Sequence, residues 1–289
     1  MKKYFVIGNP IEHSLSPKLH NYWFKKNKIK AIYEKMKVNE GDIEGIIKKV
    51  KEGEIEGINI TVPFKKFVIP FLDELTSLAS ETQSVNTIYK KGNKIVGDNT
   101  DVGGFEASMK YFLSNEGSMP ASSLNGKNAL ILGAGGVVPS IILALKRLKV
   151  GNIFIFNRTK EKAQKLNLDL GNNLQVLDNL AEPNNLIGYN SLEKISLIIN
   201  ATSLGLKKDD DIFKIFNINK LKKHPYDGVF FYDLIYNPRR TNFLITAWDL
   251  GYRITNGKMM FIYQARLAFK IWHNLLPTVD DETIKLLDT

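Results

Sequence analysis

Cysteine is absent from this chain of 289 residues, so disulfide bonds and thiolate metal ligands are excluded. The four histidines are scattered without a close pair, which argues against a histidine metal site. Long apolar runs are also missing: the longest, residues 129–145, is broken by glycines and a proline and falls short of a membrane span. The apolar run after Lys2 and Lys3 is too short for a signal peptide. We therefore expect a cytoplasmic protein that holds no metal ion and contacts no membrane.

The charge is strongly positive, yet no basic segment stands out. The net charge is +10 at pH 7, and the lysines are spread along the chain among acidic residues, as in Lys160-Glu161-Lys162. No basic run is interleaved with aromatic residues, so a nucleic-acid partner is disfavoured. With 44% hydrophobic residues the chain can bury a sizeable core, and its length suggests about two domains.

Strand-like apolar runs alternate with helical patterns, which favours an α/β fold with parallel sheets. The predicted strands cover residues 4–7, 32–37, 58–62, 128–132, 152–157, 197–200 and 230–233. The predicted helices cover residues 17–27, 41–52, 139–148 and 160–170. A hairpin is predicted from residues 86–89 and 94–97, so the first sheet is expected to be mixed.

The chain is predicted to pass from a first domain to a second one and then to return to the first. The first boundary is placed near residues 102–105, where a helix from Phe105 to about Asn115 leads out. The Ser/Gly/Pro/Asn-rich stretch Ser114–Gly126 is then a surface connector. A final helix, Met259–Leu275, is predicted to pack back onto the first domain. One expected domain therefore comprises residues 1–104 with 257–289, and the other comprises residues 105–256.

Polar side chains are set into two segments of the first domain. In the extended run from Gly57, Asn59 and Thr61 are two apart and should point the same way, and Lys65 follows from the turn. A second run, Asp98-Asn99-Thr100-Asp101, supplies a carboxylate. A lysine and an aspartate among neutral hydrogen-bonding groups suit proton transfer to or from a hydroxyl.

Ser14 and Ser16 precede a helix that is predicted to start at Pro17. Two hydroxyls at a helix N-terminus can cradle a carboxylate without a cation. Each serine could instead be an ordinary N-cap, and this alternative stays open on the sequence alone.

A glycine turn joins a predicted strand to a helix in the second domain. Residues 127–132 have the pattern of a buried strand, and Gly133-Ala134-Gly135-Gly136-Val137 follows directly. Such a turn lets backbone N–H groups and a helix N-terminus meet a pyrophosphate. A tight turn without a ligand is the alternative, since the usual last glycine spacing is missing.

The next predicted strand ends in Asn157-Arg158-Thr159, and Lys162 follows shortly after. Sites for NAD usually place Asp or Glu here to bind the ribose 2′-hydroxyl. A carboxylate would repel a 2′-phosphate, whereas a guanidinium can grip it with two hydrogen bonds. We infer NADP as the cofactor, against the alternative of a surface arginine at the start of a helix.

Taken in order, these motifs resemble the shikimate dehydrogenase family over essentially the whole chain. Further matching runs are residues 9–17, Val85-Asn86-Thr87, Gly103-Gly104-Phe105, residues 200–205, residues 233–238 with Thr241, and residues 256–265. Two positions depart from the family pattern, Val138-Pro139 after the glycine turn and Leu206 after the Thr-Ser run. Both lie near the expected cofactor, so they bear on its affinity rather than on the chemistry.

The resemblance implies a fold, in which a substrate-binding α/β domain accompanies a Rossmann-type dinucleotide-binding domain, and roles for single residues. Lys65 and Asp101 correspond to the family's catalytic pair. The implied substrate-binding residues are Ser14, Ser16, Asn59, Thr61, Lys65, Asn86, Asp101, Tyr236 and Gln264. The implied cofactor-binding residues are Gly133, Ala134, Gly135, Gly136, Val137, Asn157, Arg158, Thr159, Lys162, Thr202, Ser203, Leu234 and Gly257.

The implied reaction is the reversible, NADPH-dependent reduction of 3-dehydroshikimate to shikimate, a step of chorismate and aromatic amino acid biosynthesis. Which of Lys65 and Asp101 donates the proton stays open. One alternative is a broader enzyme that accepts quinate with NAD, against which Ser16 and Arg158 argue. Another is a non-catalytic ligand sensor, against which the presence of both Lys65 and Asp101 argues. The expected partners are small molecules, and the protein is expected to be a monomer or a homodimer.

Overall fold

The computed structural model of the protein describes residues 1–115, 124–178, 180, 195–207, 209–214 and 229–288. The chain divides into two compact units. The first unit comprises Met1–Phe105 and Phe261–Thr289, and the second comprises Glu106–Met260. The boundaries between the two units thus follow Phe105 and Met260, whereas the predicted boundaries follow residues 104 and 256. Residues 116–123 of the predicted connector lie outside the described residues.

The strands of the first unit are β1 (Lys2–Gly8), β2 (Ala31–Lys37), β3 (Gly57–Ile60), β4 (Glu74–Leu75), β5 (Thr87–Lys91) and β6 (Lys94–Asp98). They form a mixed sheet with the strand order β2-β1-β3-β5-β6-β4. β1 pairs in parallel with β2 and β3, while β5 is antiparallel to both β3 and β6, which confirms the predicted hairpin.

Strand β3 ends at Ile60, so its predicted end at Val62 is wrong. The chain starts to turn at Thr61, whose carbonyl accepts a hydrogen bond from the Phe64 N–H at 3.0 Å. Pro63 within this turn has no N–H to give to a strand ladder. The hydrogen bonds to the β1 segment continue past Ile60, since the Thr61 N–H donates to the Ile7 carbonyl and the Asn9 N–H donates to the Val62 carbonyl, each at 3.0 Å.

Helices α1 (Ser16–Lys26), α2 (Ile43–Glu52) and α3 (Ser77–Thr82) complete the first part of this unit. In α2 the buried residues Ile43, Ile46, Ile47 and Val50 recur at helical spacing and form an apolar stripe against the sheet core. The helix stops at Gly53, whose φ of +80° is a left-handed conformation that favours glycine.

Helix α4 (Asp101–Asn115) begins at Asp101, so the predicted start at Phe105 is wrong. The Oδ1 atom of Asn99 accepts hydrogen bonds from the N–H groups of Asp101 (3.0 Å) and Val102 (3.3 Å), which sets the helix start. The pair Gly103-Gly104 lowers helix propensity. In the structure it permits close packing, because a Cβ on Gly104 would lie 2.9 Å from the backbone nitrogen of Gln264.

The strands of the second unit are β7 (Asn128–Leu132), β8 (Ile153–Phe156), β9 (Gln175–Leu177), β10 (Ile195–Asn200), β11 (Phe230–Asp233) and β12 (Arg253–Asn256). They form a wholly parallel sheet with the order β12-β11-β10-β7-β8-β9. The order reverses beside β7, as in doubly wound dinucleotide-binding folds. Strands β7, β10 and β11 are buried at every position, which explains their predominantly apolar sequences.

Helices α5 (Val138–Arg147), α6 (Lys160–Asp169) and α7 (Asn242–Asp249) belong to the same unit. Helices α8 (Lys258–His273) and α9 (Asp281–Lys285) follow. From Phe261 onward, α8 belongs to the first unit, where the ring of Trp272 lies 4.9 Å from that of Tyr4. A Cβ on Gly57 of β3 would come within 2.3 Å of Trp272 Nε1, so only glycine lets this indole lie on the strand.

Neither a membrane-spanning helix nor a metal cluster occurs in the part of the chain that the structure describes. Each helix there is too short, too polar or both to cross a bilayer. The His, Asp and Glu side chains of those residues form no group of three or more that could hold a metal ion.

Candidate active site and cofactor-binding loops

The lysine of the first polar motif, Lys65, lies in a turn whose backbone is fixed by packing and by a hydrogen bond. After Thr61, the buried ring of Phe64 anchors the turn in the core of the first unit. The N–H of Val85 donates to the Lys65 carbonyl at 2.8 Å, which ties the turn to the segment before β5. Asn59 is buried within β3, whereas the Lys65 side chain points from a fixed turn.

Asp101, the first residue of α4, meets Lys65. The Lys65 Nζ lies 2.5 Å from Asp101 Oδ2, and the two side chains are only 12% and 7% exposed. The other carboxylate oxygen accepts a hydrogen bond from Asn86 Nδ2 at 2.9 Å. An ion pair this buried needs such additional hydrogen bonds to offset its lost hydration. The arrangement puts a cation and a proton acceptor at one place, as acid–base chemistry requires.

Neutral hydrogen-bonding groups surround this pair. The amide of Asn86 contacts Thr100 Oγ1 at 2.9 Å and Gln264 Oε1 at 3.5 Å, and its Oδ1 accepts from the Thr100 N–H at 2.8 Å. Thr87 Oγ1 accepts a hydrogen bond from Asn59 Nδ2 at 3.0 Å. Thr87 and Thr100 are buried, and neither was predicted to have a role although both stand inside matching motifs.

Ser14 and Ser16 lie together at the start of α1. The Ser14 hydroxyl is 3.3 Å from the Ser16 hydroxyl and 3.3 Å from the Ser16 N–H. The N-cap residue is Leu15, whose side chain makes no capping hydrogen bond, while the Ser14 hydroxyl accepts from the N–H of Ser16, the first helical residue. Neither serine is the N-cap residue itself, so the ordinary N-cap interpretation does not account for the Ser16 hydroxyl.

We predict that Ser14→Ala and Ser16→Ala each weaken shikimate binding by about 1 kcal/mol or more, the worth of a hydrogen bond to a charged group. The measurement is KM for shikimate beside KM for NADP+, which should not change. Ser80→Ala, at an exposed serine of the same unit, is the matched control. An unchanged shikimate KM in both site variants would contradict the prediction.

The glycine turn lies between β7 and α5, as its motif predicts. Gly133 has a φ of +113°, and a Cβ there would lie 2.9 Å from the Ala201 carbonyl oxygen. Its N–H donates to the Phe156 carbonyl at 2.7 Å, which holds the turn against β8. Gly135 and Gly136 are exposed just before the helix N-terminus. These features fit a dinucleotide, whose pyrophosphate needs close approach to backbone N–H groups.

The loop directly after β8, residues 157–159, carries an arginine and no carboxylate, and the next acidic residue is Glu161 in the first turn of α6. Asn157 Nδ2 donates to the Thr159 carbonyl at 2.7 Å, which fixes a short loop, and Arg158 is exposed on it. Thr159 is the N-cap residue of α6, without a side-chain capping bond, and Lys162 is exposed in the first turn. Two cations at this strand end fit a 2′-phosphate better than a free 2′-hydroxyl.

A buried carboxylate, Asp233, links the loops that carry the remaining cofactor candidates of the second unit. It accepts hydrogen bonds from Asn200 Nδ2 (3.1 Å), the Ile235 N–H (3.0 Å) and the Thr241 hydroxyl (2.5 Å). Asn200 in turn accepts from the Thr202 hydroxyl at 2.7 Å.

Ser203 is exposed beyond that loop. A Cβ on Gly257 would lie 2.1 Å from the Leu234 carbonyl oxygen, so these two backbones touch. Leu206, one of the two departures from the family pattern, is exposed, whereas Val138 is buried in the first turn of α5.

We predict a distinctive pH dependence for Asp233. Burial raises the pKa of this carboxyl to about 6, despite its hydrogen bonds. Because this value exceeds that of the unfolded chain, the contribution to stability is complete below about pH 4 and is lost as pH rises through 6, by about 3 kcal/mol. In urea unfolding, the stability advantage of wild type over Asp233→Asn should therefore shrink between pH 4 and pH 7.

Asp210 provides the opposite case. Hydrogen bonds from the N–H groups of Lys207 and Gly205 lower the pKa of its half-buried carboxyl, so its contribution is lost as pH falls. The advantage of wild type over Asp210→Asn should stay nearly constant from pH 7 to about pH 4 and shrink below that pH. Parallel pH trends for the two variants would contradict the role given to burial at Asp233.

The predicted site residues fall into two sets. The first unit brings together Ser14, Ser16, Asn59, Thr61, Lys65, Asn86, Asp101 and Gln264. The second unit holds Tyr236 and the cofactor candidates Gly133, Ala134, Gly135, Gly136, Val137, Asn157, Arg158, Thr159, Lys162, Thr202, Ser203, Leu234 and Gly257. Tyr236 is thus the one substrate candidate that lies outside the first unit.

Known proteins share this architecture. Residues 6–88 match the shikimate dehydrogenase substrate binding domain family, and residues 116–243 match the shikimate / quinate 5-dehydrogenase family. The chain is 51% identical to shikimate dehydrogenase (NADP(+)) of Pelagibacter ubique, and the alignment covers 100% of both chains. The crystal structure of shikimate dehydrogenase from Aquifex aeolicus is similar with a TM-score of 0.83, at 33% identity, covering 100% of this chain and 97% of that one.

A further similar structure is shikimate 5-dehydrogenase from Thermus thermophilus in complex with NADP(H) and shikimate. Its TM-score is 0.80 at 28% identity, and the match covers 100% of this chain and 99% of that one. A doubly wound sheet with a glycine turn, accompanied by a buried lysine–aspartate pair, defines a two-domain dinucleotide-dependent oxidoreductase. The sequence identity specifies the family: the chain belongs to the shikimate dehydrogenases.

Proposed function

We propose that this protein is an NADP-dependent shikimate dehydrogenase, which reversibly reduces 3-dehydroshikimate to shikimate in aromatic amino acid biosynthesis. The observation that carries the proposal is the Lys65–Asp101 pair, with its 2.5 Å contact and the hydrogen bond from Asn86. It lies in the unit whose sequence matches the family's substrate binding domain. The relative at 51% identity carries the same activity in its name.

The first unit supplies the substrate site in this proposal. Ser14 and Ser16 bind the carboxylate at the N-terminus of α1, where the helix dipole favours an anion. Asn59, Thr61, Asn86 and Gln264 bind ring hydroxyls, and the family resemblance gives Tyr236 a part in substrate binding as well. Lys65 and Asp101 face the oxygen on C3.

The proton moves at the C3 oxygen. When the carbonyl is reduced, negative charge develops on this oxygen, and the Lys65 ammonium stabilises it. The Lys65–Asp101 pair then supplies the proton, and in the reverse direction it removes the proton from the C3 hydroxyl. Asn86 keeps the Asp101 carboxylate in place throughout. NADPH, when bound, supplies the hydride.

The second unit supplies the cofactor site. The turn from Gly133 to Val137 and the start of α5 receive the pyrophosphate, and Gly135 and Gly136 are exposed there before the helix N-terminus. Arg158, with Asn157, Thr159 and Lys162, binds the 2′-phosphate. The remaining positions, Thr202, Ser203, Leu234 and Gly257, belong to loops that Asp233 ties together.

The test is an assay of NADPH oxidation with 3-dehydroshikimate, followed by absorbance at the nicotinamide band. Parallel assays use shikimate with NADP+, shikimate with NAD+, and quinate with each. Turnover of shikimate chiefly with NADP+ supports the proposal. Quinate oxidation with NAD+ at comparable kcat/KM would show the broader enzyme, and ligand binding without turnover would show a sensor.

We further propose that the protein works in the cytoplasm as a monomer or a homodimer. The absence of cysteine suits a reducing compartment. Fractionation of cells and sedimentation of the purified chain test the two statements separately.

A further inference from the structure

Tyr33 of β2 occupies a buried position beside the proposed substrate site, and no motif drew attention to it. Its side chain is 1% exposed, although β2 is an edge strand. Asn21 of α1 holds its backbone, accepting from the Tyr33 N–H at 2.9 Å and donating to the Tyr33 carbonyl at 2.8 Å. The ring stacks on His20 with centroids 4.3 Å apart and planes within 4°. The phenol is therefore fixed in both position and direction.

The Tyr33 hydroxyl joins two candidate substrate residues. It donates a hydrogen bond to Asn59 Oδ1 at 2.7 Å. It also accepts a hydrogen bond from Ser16, while burial raises the pKa of the phenol well above its ordinary value. Tyr33 thus keeps its proton and serves as a permanent donor. His20 does not compete, because neither of its ring nitrogens has a hydrogen-bond partner and burial lowers its pKa to about 3.

The Asn86 carbonyl and the Tyr33 hydroxyl together decide how the amide of Asn59 is turned. A backbone carbonyl can only accept, so it faces the Nδ2 end, and Oδ1 faces the Tyr33 hydroxyl as its buried donor. The two Nδ2 hydrogens go to the Asn86 carbonyl and to Thr87 Oγ1, each at 3.0 Å. Asn59 therefore has one free lone pair on Oδ1 and no free hydrogen. In this orientation it can accept from a substrate hydroxyl but cannot donate to one.

We propose that Tyr33 is a positioning residue that fixes the acceptor orientation of Asn59 and the place of the Ser16 hydroxyl, so that the substrate's ring hydroxyl and carboxylate are bound at a set separation. The proposal rests on the proposed function and adds a residue that does not touch the substrate. Without the phenol hydroxyl, the Asn59 carbonyl loses its buried donor and the Ser16 hydroxyl loses its inner acceptor. The affinity for shikimate then falls, whereas the rate of proton transfer at Lys65 and Asp101 does not change.

The test is Tyr33→Phe, which removes one oxygen and retains the aromatic stack. We expect KM for shikimate to rise about tenfold, the equivalent of one lost hydrogen bond. The kcat, its pH profile and KM for NADP+ should stay within about twofold, well below the effect of a lost hydrogen bond. Tyr4→Phe is the matched control, because Tyr4 belongs to the same aromatic cluster and its hydroxyl is not part of this network. This control should leave every constant unchanged.

Thr87→Val removes the partner on the opposite side of the Asn59 amide and should also raise KM for shikimate, which keeps the proposal testable if Tyr33→Phe does not fold. A folded Tyr33→Phe enzyme with the wild-type KM for shikimate overturns the role of Tyr33. Equal losses in kcat and in both KM values overturn it too, since they indicate a purely structural part. Wild-type protein that does not oxidise shikimate would instead overturn the proposed function itself.

Discussion

Replacing Lys65 by Ala or Met is expected to lower kcat for shikimate oxidation by about 100-fold or more, the usual worth of an acid–base group. The ammonium lies 2.5 Å from Asp101 Oδ2, and in our proposal both face the reacting oxygen. KM for shikimate should change much less, because Ser14, Ser16 and Asn59 still hold the ligand. Steady-state kinetics of the two variants, with thermal denaturation to verify folding, provide the measurement.

Two further variants sharpen this test. Asp101→Asn should lower both rate and affinity, since the carboxylate also binds a substrate hydroxyl in our proposal. The double variant should be little worse than the poorer single one, because groups that act as a unit are not additive. Lys94→Ala, which breaks an exposed ion pair with Glu74, is the control and should leave kcat unchanged. Near wild-type turnover in folded Lys65→Ala would refute the role of Lys65, and fully additive losses would separate the two residues.

Replacing Arg158 by Ala is expected to raise KM for NADPH by about 10- to 100-fold, which corresponds to the loss of hydrogen bonds between charged groups. KM for NADH should hardly change, because NADH has no 2′-phosphate. The exposed arginine stands on a loop that Asn157 fixes and that holds no carboxylate. Wild type should accordingly have a much higher kcat/KM with NADP+ than with NAD+.

The control for this variant is Arg253→Ala. Arg253 lies on β12, at the opposite edge of the same sheet from β8 and β9. The substitution removes the same charge from the same unit and should not alter the preference between cofactors. Equal use of NAD+ and NADP+ by wild type would contradict the assignment of Arg158. So would a parallel rise of both KM values in Arg158→Ala, because this would indicate damage to the whole cofactor site.

The long elements of the fold are predictable from sequence because their hydrophobic periods are regular. Buried parallel strands such as β7 and β10 are mostly apolar along their length, and the apolar stripe of α2 repeats at helical spacing. The short strands β4 and β9 have two and three residues, too few for a period to show. The start of α4 depends on a side-chain cap from Asn99, which outweighs the low propensity of two glycines.

The site is predictable only where its residues stand in polar motifs. Lys65 and Asp101 are polar residues within apolar surroundings, and this contrast is visible in the sequence. Tyr33 gives no such contrast, because a tyrosine in a strand is ordinary core. Its importance comes from two hydrogen-bond partners that are distant along the chain, Ser16 and Asn59. Asp233 is similar, since one of its partners, Asn200, lies 33 residues away along the chain.

The division of the chain has a consequence for biosynthesis on the ribosome. All of Glu106–Met260 leaves the ribosome before the last part of the first unit, which starts at Phe261. Until Trp272 emerges, the surface of β3 at Gly57 and the ring of Tyr4 lack the indole that covers them. The second unit can therefore be complete before the first, whose N-terminal segment keeps this surface uncovered until translation nears its end. For this enzyme, the part made first is completed last.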